Sequence, residues 1–204
     1  MRKILFKKNR FLAVALVILG VTAFYLALGI RPAFAISGDV HAHDPSMIKV
    51  GSCYYVFSTG DNNYNKGNIQ VRKSCDLASG WKLIGTVFTS IPSWITTRLG
   101  STPGNLWAPD INYFNNKYYL YYAGSTFGSN KSVIGLATAT NIEGPWTDQG
   151  LVIQSTSSNN YNCIDPEIAW TITNGARAEM WLVFGSFWDG IKMRQLNTST
   201  GKLS

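Results

Sequence analysis

No aspartate or glutamate occurs in the first 35 residues, and no surplus of lysine or arginine survives beyond them. The formal charge of +7 points at face value to a nucleic acid or an anionic membrane. Six of the eighteen basic residues, Arg2, Lys3, Lys7, Lys8, Arg10 and Arg31, lie in that leader, which leaves twelve against eleven acidic residues from Ile36 onward. A nucleic-acid partner is thereby excluded, and Arg72-Lys73 reads as ordinary solvated strand charge. Cysteine is equally sparse. Cys53, Cys75 and Cys163 form no CxxC and no Cys/His spacing suited to a metal, so a zinc site is unsupported. There is no glycine-rich phosphate loop and nothing that suggests a redox cofactor. No apolar stripe of period 3.6 argues for a helical fold.

The leader has a cationic start, an apolar run over residues 11–30, a break at Arg31-Pro32, and then Ala33-Phe34-Ala35, with small residues at the positions a signal peptidase reads. Residues 1–35 are therefore read as a signal peptide. An apolar run of about 20 residues is also just long enough to span a bilayer, so the alternative is an uncleaved membrane anchor, the one form in which a membrane would be a partner. Either way the folded part is exported, as a secreted, periplasmic or membrane-anchored protein, and disulfides are permitted there. Cys53 and Cys75 fall in neighbouring expected strands and can pair, while buried free thiols account for the odd count equally well.

What the chain has in abundance is short β-forming segments. Residues 54–58, 69–73, 118–122, 133–139 and 180–184 are rich in Tyr, Val, Ile, Phe and Trp and are separated by Gly, Asn, Asp and Ser clusters, which reads as an all-β fold. A repeat runs through them. Asp44-Pro45-Ser46-Met47-Ile48 aligns with Ala108-Pro109-Asp110-Ile111-Asn112 and with Asp165-Pro166-Glu167-Ile168-Ala169, at steps of 64 and 57 residues. Each copy continues into an aromatic strand, and Asp76-Leu77-Ala78-Ser79-Gly80-Trp81 is echoed by Asn141-Ile142-Glu143-Gly144-Pro145-Trp146. A unit of about 60 residues with some four short strands has the size of a β-propeller blade with generous loops.

In a propeller the innermost strands line a central channel, so equivalent strand starts converge at one end of it. Asp44 and Asp165 then face each other across a pocket, with Ala108 leaving room between them. A single Asp-Pro is accounted for by turn propensity. Two at equivalent positions, in an aromatic-rich setting, are the equipment of glycoside hydrolysis.

His43-Asp44-Pro45, Trp107-Ala108-Pro109-Asp110, Ile164-Asp165-Pro166 and Gly185-Ser186-Phe187-Trp188 together resemble glycoside hydrolase family 43, most of all its endo-1,5-α-L-arabinanases, from about Val40 to the end of the chain. The resemblance implies a five-bladed propeller, of which roughly the first three blades are present, and hydrolysis with inversion at the anomeric carbon. It implies that Asp44 is the general base that activates water. Asp165 would tune and orient a third carboxyl group, a Glu acting as general acid. An inverting pair needs a base and an acid on opposite faces of the sugar with room for water, and a like-charged neighbour keeps the acid protonated.

Trp107 and Phe127 match aromatics that line sugar subsites, with propeller core as the alternative; Phe187 and Trp188 belong to the Gly185-Ser186-Phe187-Trp188 block, and Trp188 reads as shaping the cleft or equally as edge packing. Gly124 would let the backbone approach the ligand, or simply form a turn. Asn162 and Ser186 suit sugar hydroxyls or local turn bonds. His43 reads as a satisfied pocket histidine or as a group that orients Asp44; Asp39 and His41 read as part of a solvated N-terminal segment, and Asp110 and Glu167 as structural. No cofactor is required; the resemblance allows a central calcium ion, without an identifiable ligand set.

The expected activity is cleavage of internal α-1,5 links in arabinan or a related hemicellulose, by a monomer when complete. An exo-acting arabinofuranosidase or β-xylosidase of the same family is the near alternative. A non-catalytic carbohydrate-binding propeller is the distant one, disfavoured because a pure binder has no use for costly clustered carboxylates. Glu167, Glu179 and Asp189 fit the acid poorly: the first adjoins Asp165, and the others are expected in turns. The acid is therefore expected beyond Ser204, with residues 36–204 an incomplete, inactive N-terminal part of the catalytic domain. N-terminal sequencing of exported protein should begin at Ile36; exported material still beginning at Met1 would refute the signal-peptide reading.

Overall fold

A computed structural model of the chain describes residues 35–61 and 67–204, so the expected leader lies, but for Ala35, outside the described residues. Among those described, no helix is long and apolar enough to cross a membrane. The unit Ile36–Ser204 is built from three antiparallel sheets, each a meander of sequential strands. The first contains β1 (Ser46–Val50), β2 (Cys53–Ser58), β3 (Gln70–Ser74) and β4 (Lys82–Thr86). After a short helix, α1 (Ser93–Leu99), the second contains β5 (Leu106–Phe114), β6 (Lys117–Gly124), β7 (Ser132–Ala139) and β8 (Thr147–Ser155). The third contains β9 (Glu167–Thr173), β10 (Ala176–Phe184) and β11 (Lys192–Leu196). Each of the three X-Pro repeats opens one sheet.

Local chemistry sets the hairpins. Asn115 and Asn116 sit in the left-handed region between β5 and β6, and Asn174-Gly175 does the same between β9 and β10. Two-residue loops of this kind match the strand twist and select Asn and Gly. The second sheet lies between the other two, so β6 and β7 are buried almost throughout. Ile111, Leu120, Tyr122 and Val133 pack with Phe57, Val71 and Ile95 towards the first sheet, while Tyr119, Tyr121, Ile134 and Leu136 pack with Ile168, Met180 and Leu182 towards the third. Phe114 stacks on Tyr119 at 3.7 Å and meets Trp170 edge-on at 5.5 Å, which joins the two sheets through aromatic faces.

Three details depart from the sequence reading. Helix α1 carries no long stripe; it is one short segment bounded by Pro92 and by Gly100 at φ 79°, and it buries Ile95 and Leu99. Arg72 is not solvated: it is 4% exposed, donates Nη1–H to Ser58 Oγ at 3.1 Å and Nε–H to the Asp39 carbonyl at 3.0 Å, while Lys73 pairs with Glu143 at 2.6 Å. Glu179 lies within β10 rather than in a turn. Of the cysteines, Cys53 and Cys75 form a disulfide, and Cys163 is a free buried thiol pushed up to about 12 by burial.

Asp110 on β5 is the polar joint between the sheets. Its Oδ1 accepts the Ser46 hydroxyl of β1 at 3.4 Å, and its Oδ2 accepts the Ile168 N–H of β9 at 2.8 Å and the Asn112 amide at 2.7 Å. Ser46 Oγ in turn accepts the Ile111 N–H at 3.1 Å. Ser46, Asp110 and Glu167 hold the same place in the repeats, so one contact is used twice. The side chain after the X-Pro pair of one repeat accepts the N–H one place further along in the next. Burial, helped by the charge of Glu167, raises the pKa of Asp110 to about 6 against the pull of its three donors.

From about pH 4, ordinary for aspartate, up to about pH 6, the folded chain keeps a proton on Asp110 that the unfolded chain has released. This group's contribution to stability therefore falls as the pH rises through that window, by roughly 3 kcal/mol in all. Asp110→Asn should flatten that part of the pH dependence when denaturant unfolding is compared at about pH 4.5 and about pH 7. A slope unchanged from that of the unaltered chain would contradict the assignment.

Candidate active site

Asp44, Ala108 and Asp165 all adopt the left-handed backbone region, with φ of 48°, 39° and 54°. Residues before proline normally lie in the extended region, and positive φ is uncommon outside glycine, so three equivalent departures mark a shared device rather than a random turn. In the second sheet it coincides with a break in the β5–β6 register between Trp107 and Asp110.

The device brings Asp44 of the first repeat and Asp165 of the third to the wall of one cleft of about 1110 Å³, together with Trp107, Phe127, Ser186 and Phe187. A contiguous hollow of about 450 Å³ shares Trp107, Phe127 and Phe187 and adds Asn162 and Trp188. Phe127 and Phe187 are 95% and 84% exposed, a costly placement for aromatic rings unless they serve as platforms for a ligand. Trp107 lines both hollows and is held by its Nε1–H, which donates to Asn105 Oδ1 at 2.8 Å. Gly185, at φ 116°, lets the chain turn against Gly190, where a Cβ would meet the Gly190 carbonyl oxygen at 2.5 Å.

Asp44 keeps its carboxylate partly open, with 41% of the side chain exposed. Oδ2 accepts the Thr59 hydroxyl at 2.7 Å and faces His43 Nδ1 at 2.7 Å. His43 lines the cleft with its side chain 80% exposed and rests on Asp44, the placement of a residue that orients that carboxylate. Asp165 is accessible at the cleft surface, yet the surrounding protein strips part of its hydration. That desolvation raises its pKa, and the negative charge of Asp44 adds to the rise. The Ser186 hydroxyl, hydrogen-bonded to Asp165, and the nearby His43 pull the other way.

Other expected residues sit differently. Asn162 is 3% exposed, with its Oδ1 accepting the Ser132 hydroxyl at 2.6 Å and its Nδ2–H donating to the Ser129 carbonyl at 3.3 Å, so the amide is committed to protein. Gly124 does not line either hollow. It is buried against α1, where a Cβ would meet Ile95 Cγ2 at 3.0 Å, so the glycine serves helix packing and not ligand approach. Asp39 and His41, expected in a solvated segment, line the cleft, as do Arg72 and Asp61. Asp39 is pinned by its own N–H to the Trp81 carbonyl at 2.8 Å. Glu167, Glu179 and Asp189 lie outside both hollows. Among the described residues no three His, Cys, Asp or Glu side chains converge on a point where a metal ion could be held.

Thr59 escaped the sequence reading. It follows an aromatic strand directly, and a hydroxyl at the strand end nearest an Asp-Pro start was the available signal.

The model of glycosyl hydrolases family 43 matches residues 37–204. Over 161 residues, 78% of this chain, the sequence is 50% identical to extracellular endo-α-(1→5)-L-arabinanase 1 of Bacillus subtilis (strain 168), of which the match covers 48%. The structure is similar to native Bacillus subtilis arabinanase Arb43A, with a TM-score of 0.76 and 46% identity over 84% of this chain and 57% of that one. It is also similar to Cellvibrio cellulosa α-L-arabinanase complexed with arabinohexaose, with a TM-score of 0.71 and 34% identity over 82% of this chain and 51% of that one. The chain spans about half the length of the curated relatives it matches.

Asp165 should respond to the Asp44 carboxylate and to the Ser186 hydroxyl. In Asp44→Asn, the Asp165 midpoint followed by carboxyl ¹³C NMR should fall part of the way towards the ordinary aspartate value, because desolvation remains. In Ser186→Ala it should rise. An Asp165 midpoint that ignores both substitutions would show that the two groups do not share a site.

Proposed function

This chain belongs to glycosyl hydrolases family 43, and from that premise we propose that the whole protein is an exported, inverting arabinanase that cuts internal α-1,5 links of arabinan. The observation that carries this reading is the meeting of Asp44 and Asp165, from different sheets, in one aromatic-walled cleft. Support for the substrate comes from the relatives, whose names specify arabinan-cleaving activity and, for the Bacillus subtilis protein, an extracellular location. On this reading residues 1–35 are a signal peptide, the three sheets are the first three blades of a five-bladed monomeric propeller, and residues 36–204 are the N-terminal part of its catalytic domain.

Asp44 is the base. With Oδ2 engaged by Thr59 and facing His43, Oδ1 is the oxygen that takes a proton from the attacking water. Asp165 acts through a third carboxyl group, the general acid, holding it protonated by like-charge repulsion. That acid is a Glu outside the present 204 residues, since neither Glu167, Glu179 nor Asp189 reaches the cleft. Trp107, Phe127, Phe187 and Trp188 offer ring faces to the C–H surfaces of furanose rings, and Ser186 divides its hydroxyl between Asp165 and the sugar.

In the whole protein, Asp44→Asn should lower arabinan turnover by about 10² to 10⁴ while oligosaccharide affinity stays within about tenfold, because a water-activating base acts mainly in the transition state. Unchanged turnover would refute the role of Asp44. Early oligomers with a steep loss of viscosity are the expected products, and release of monosaccharide alone would refute internal cleavage.

A further inference from the structure

We propose that Thr59 is a positioning residue for Asp44, its hydroxyl forming a relay from the Ala108 peptide of the second repeat to the Asp44 carboxylate of the first; the proposal rests on Asp44 being the base. Thr59 Oγ1 accepts the Ala108 N–H at 2.8 Å. That bond occupies an oxygen lone pair and leaves the hydroxyl proton to be donated, which it is, to Asp44 Oδ2 at 2.7 Å. The Thr59 N–H is itself bound, to the His43 carbonyl at 2.9 Å, and the next residue, Gly60, donates to the Leu106 carbonyl at 2.9 Å. Backbone and side chain are therefore both tied, and a β-branched side chain fixed in this way has little rotameric freedom left.

The relay gives Ala108 a part in the site. The first and third repeats supply a carboxylate at this position, and the second supplies its backbone N–H. By fixing which carboxylate oxygen is hydrogen-bonded, Thr59 fixes which one faces the cleft. A loss of that orientation reads out as a loss of turnover rather than of binding.

The test is spectroscopic and does not require catalysis. The groups that titrate or carry charge around Asp44 are His41 and His43 on its own segment, Asp39, Asp61, Arg72 on β3, and Asp165 across the cleft. Asp44→Asn therefore separates its signal from theirs. In the unaltered chain the Ala108 amide resonance should move with pH as Asp44 ionises, and Asp44→Asn should abolish that movement. Thr59→Ser, which keeps the hydroxyl, should retain the response, whereas Thr59→Val and Thr59→Ala should lose it and should speed hydrogen exchange at the Ala108 amide. An undiminished Ala108 response in folded Thr59→Val or Thr59→Ala overturns the proposal. In the whole protein, Thr59→Val should lower kcat on arabinan by about 10- to 100-fold with KM unchanged. An Ala108 response that passes through Thr59 in a whole protein that leaves arabinan intact would uphold the relay and refute the proposed activity. Cleavage at full kcat by Thr59→Val would do the reverse.

Discussion

A buried carboxylate shared by three sheets is the contact on which the arrangement of the site depends. Asp44 and Asp165 lie more than a hundred residues apart and on different sheets, and nothing in either strand alone brings them to one cleft. Asp110 ties the sheets that carry them by bonding to Ser46 at the start of β1 and to the Ile168 N–H at the start of β9, from its own place in the middle of β5. The apolar cores press the sheets together, but face-to-face packing tolerates sliding along a strand. Directional bonds from one side chain to two neighbouring strand starts do not. The cost is visible in the raised proton affinity of Asp110, since its charge is withheld from water beside Glu167, and three donors offset part of it.

Backbone strain is distributed in the same sense. Eight non-glycine residues among those described have positive φ. Asn115, Asn116 and Asn174 do so in hairpins, where asparagine adopts the left-handed region readily. The other five, Asp44, Ala108, Asp165, Phe187 and Trp188, are at the cleft or directly behind it. Each costs of order 1–3 kcal/mol unless its surroundings enforce it. Enforcement is on hand at each carboxylate: Thr59 and His43 hold Asp44, and Ser186 holds Asp165. Strain concentrated on the wall of one cavity, and cheap turns elsewhere, is the distribution expected when conformation serves a ligand rather than the chain.

Much of this was legible in the sequence, for identifiable reasons. The aromatic and β-branched runs marked β2, β6, β7 and β10, because strand signals are local. The X-Pro repeats marked the three sheet starts and both carboxylates, because a repeat is read by comparing the chain with itself. What escaped depended on partners far along the chain. Arg72 carries no local sign that Ser58 and the N-terminal segment will enclose it, and Gly124 reads as a ligand-facing glycine until α1 is seen to lie against it. Helix α1 is too short for a periodic stripe. Thr59 is an ordinary strand-end threonine in sequence, and its importance comes from an Ala108 N–H some fifty residues away.

The three repeats share one backbone and diverge in chemistry at single positions. At the left-handed residue the first and third present carboxyl groups and the second a methyl group, with the N–H of the second turned to use instead. The hydroxyl that steadies each carboxylate comes from the second strand of the same sheet or just beyond it: Thr59 at the end of β2, and Ser186 one place further along, after β10. The two carboxylates consequently stand in unlike surroundings. Asp44 is partly open to solvent with Oδ2 held by Thr59, whereas Asp165 is partly desolvated and pushed towards its protonated form by that burial and by the charge of Asp44. Divergent environments for paired carboxyl groups are how one cleft assigns different acid–base roles at a single pH. Here the divergence needs no change of fold between repeats, only which side chain the left-handed residue carries and which hydroxyl reaches back to it.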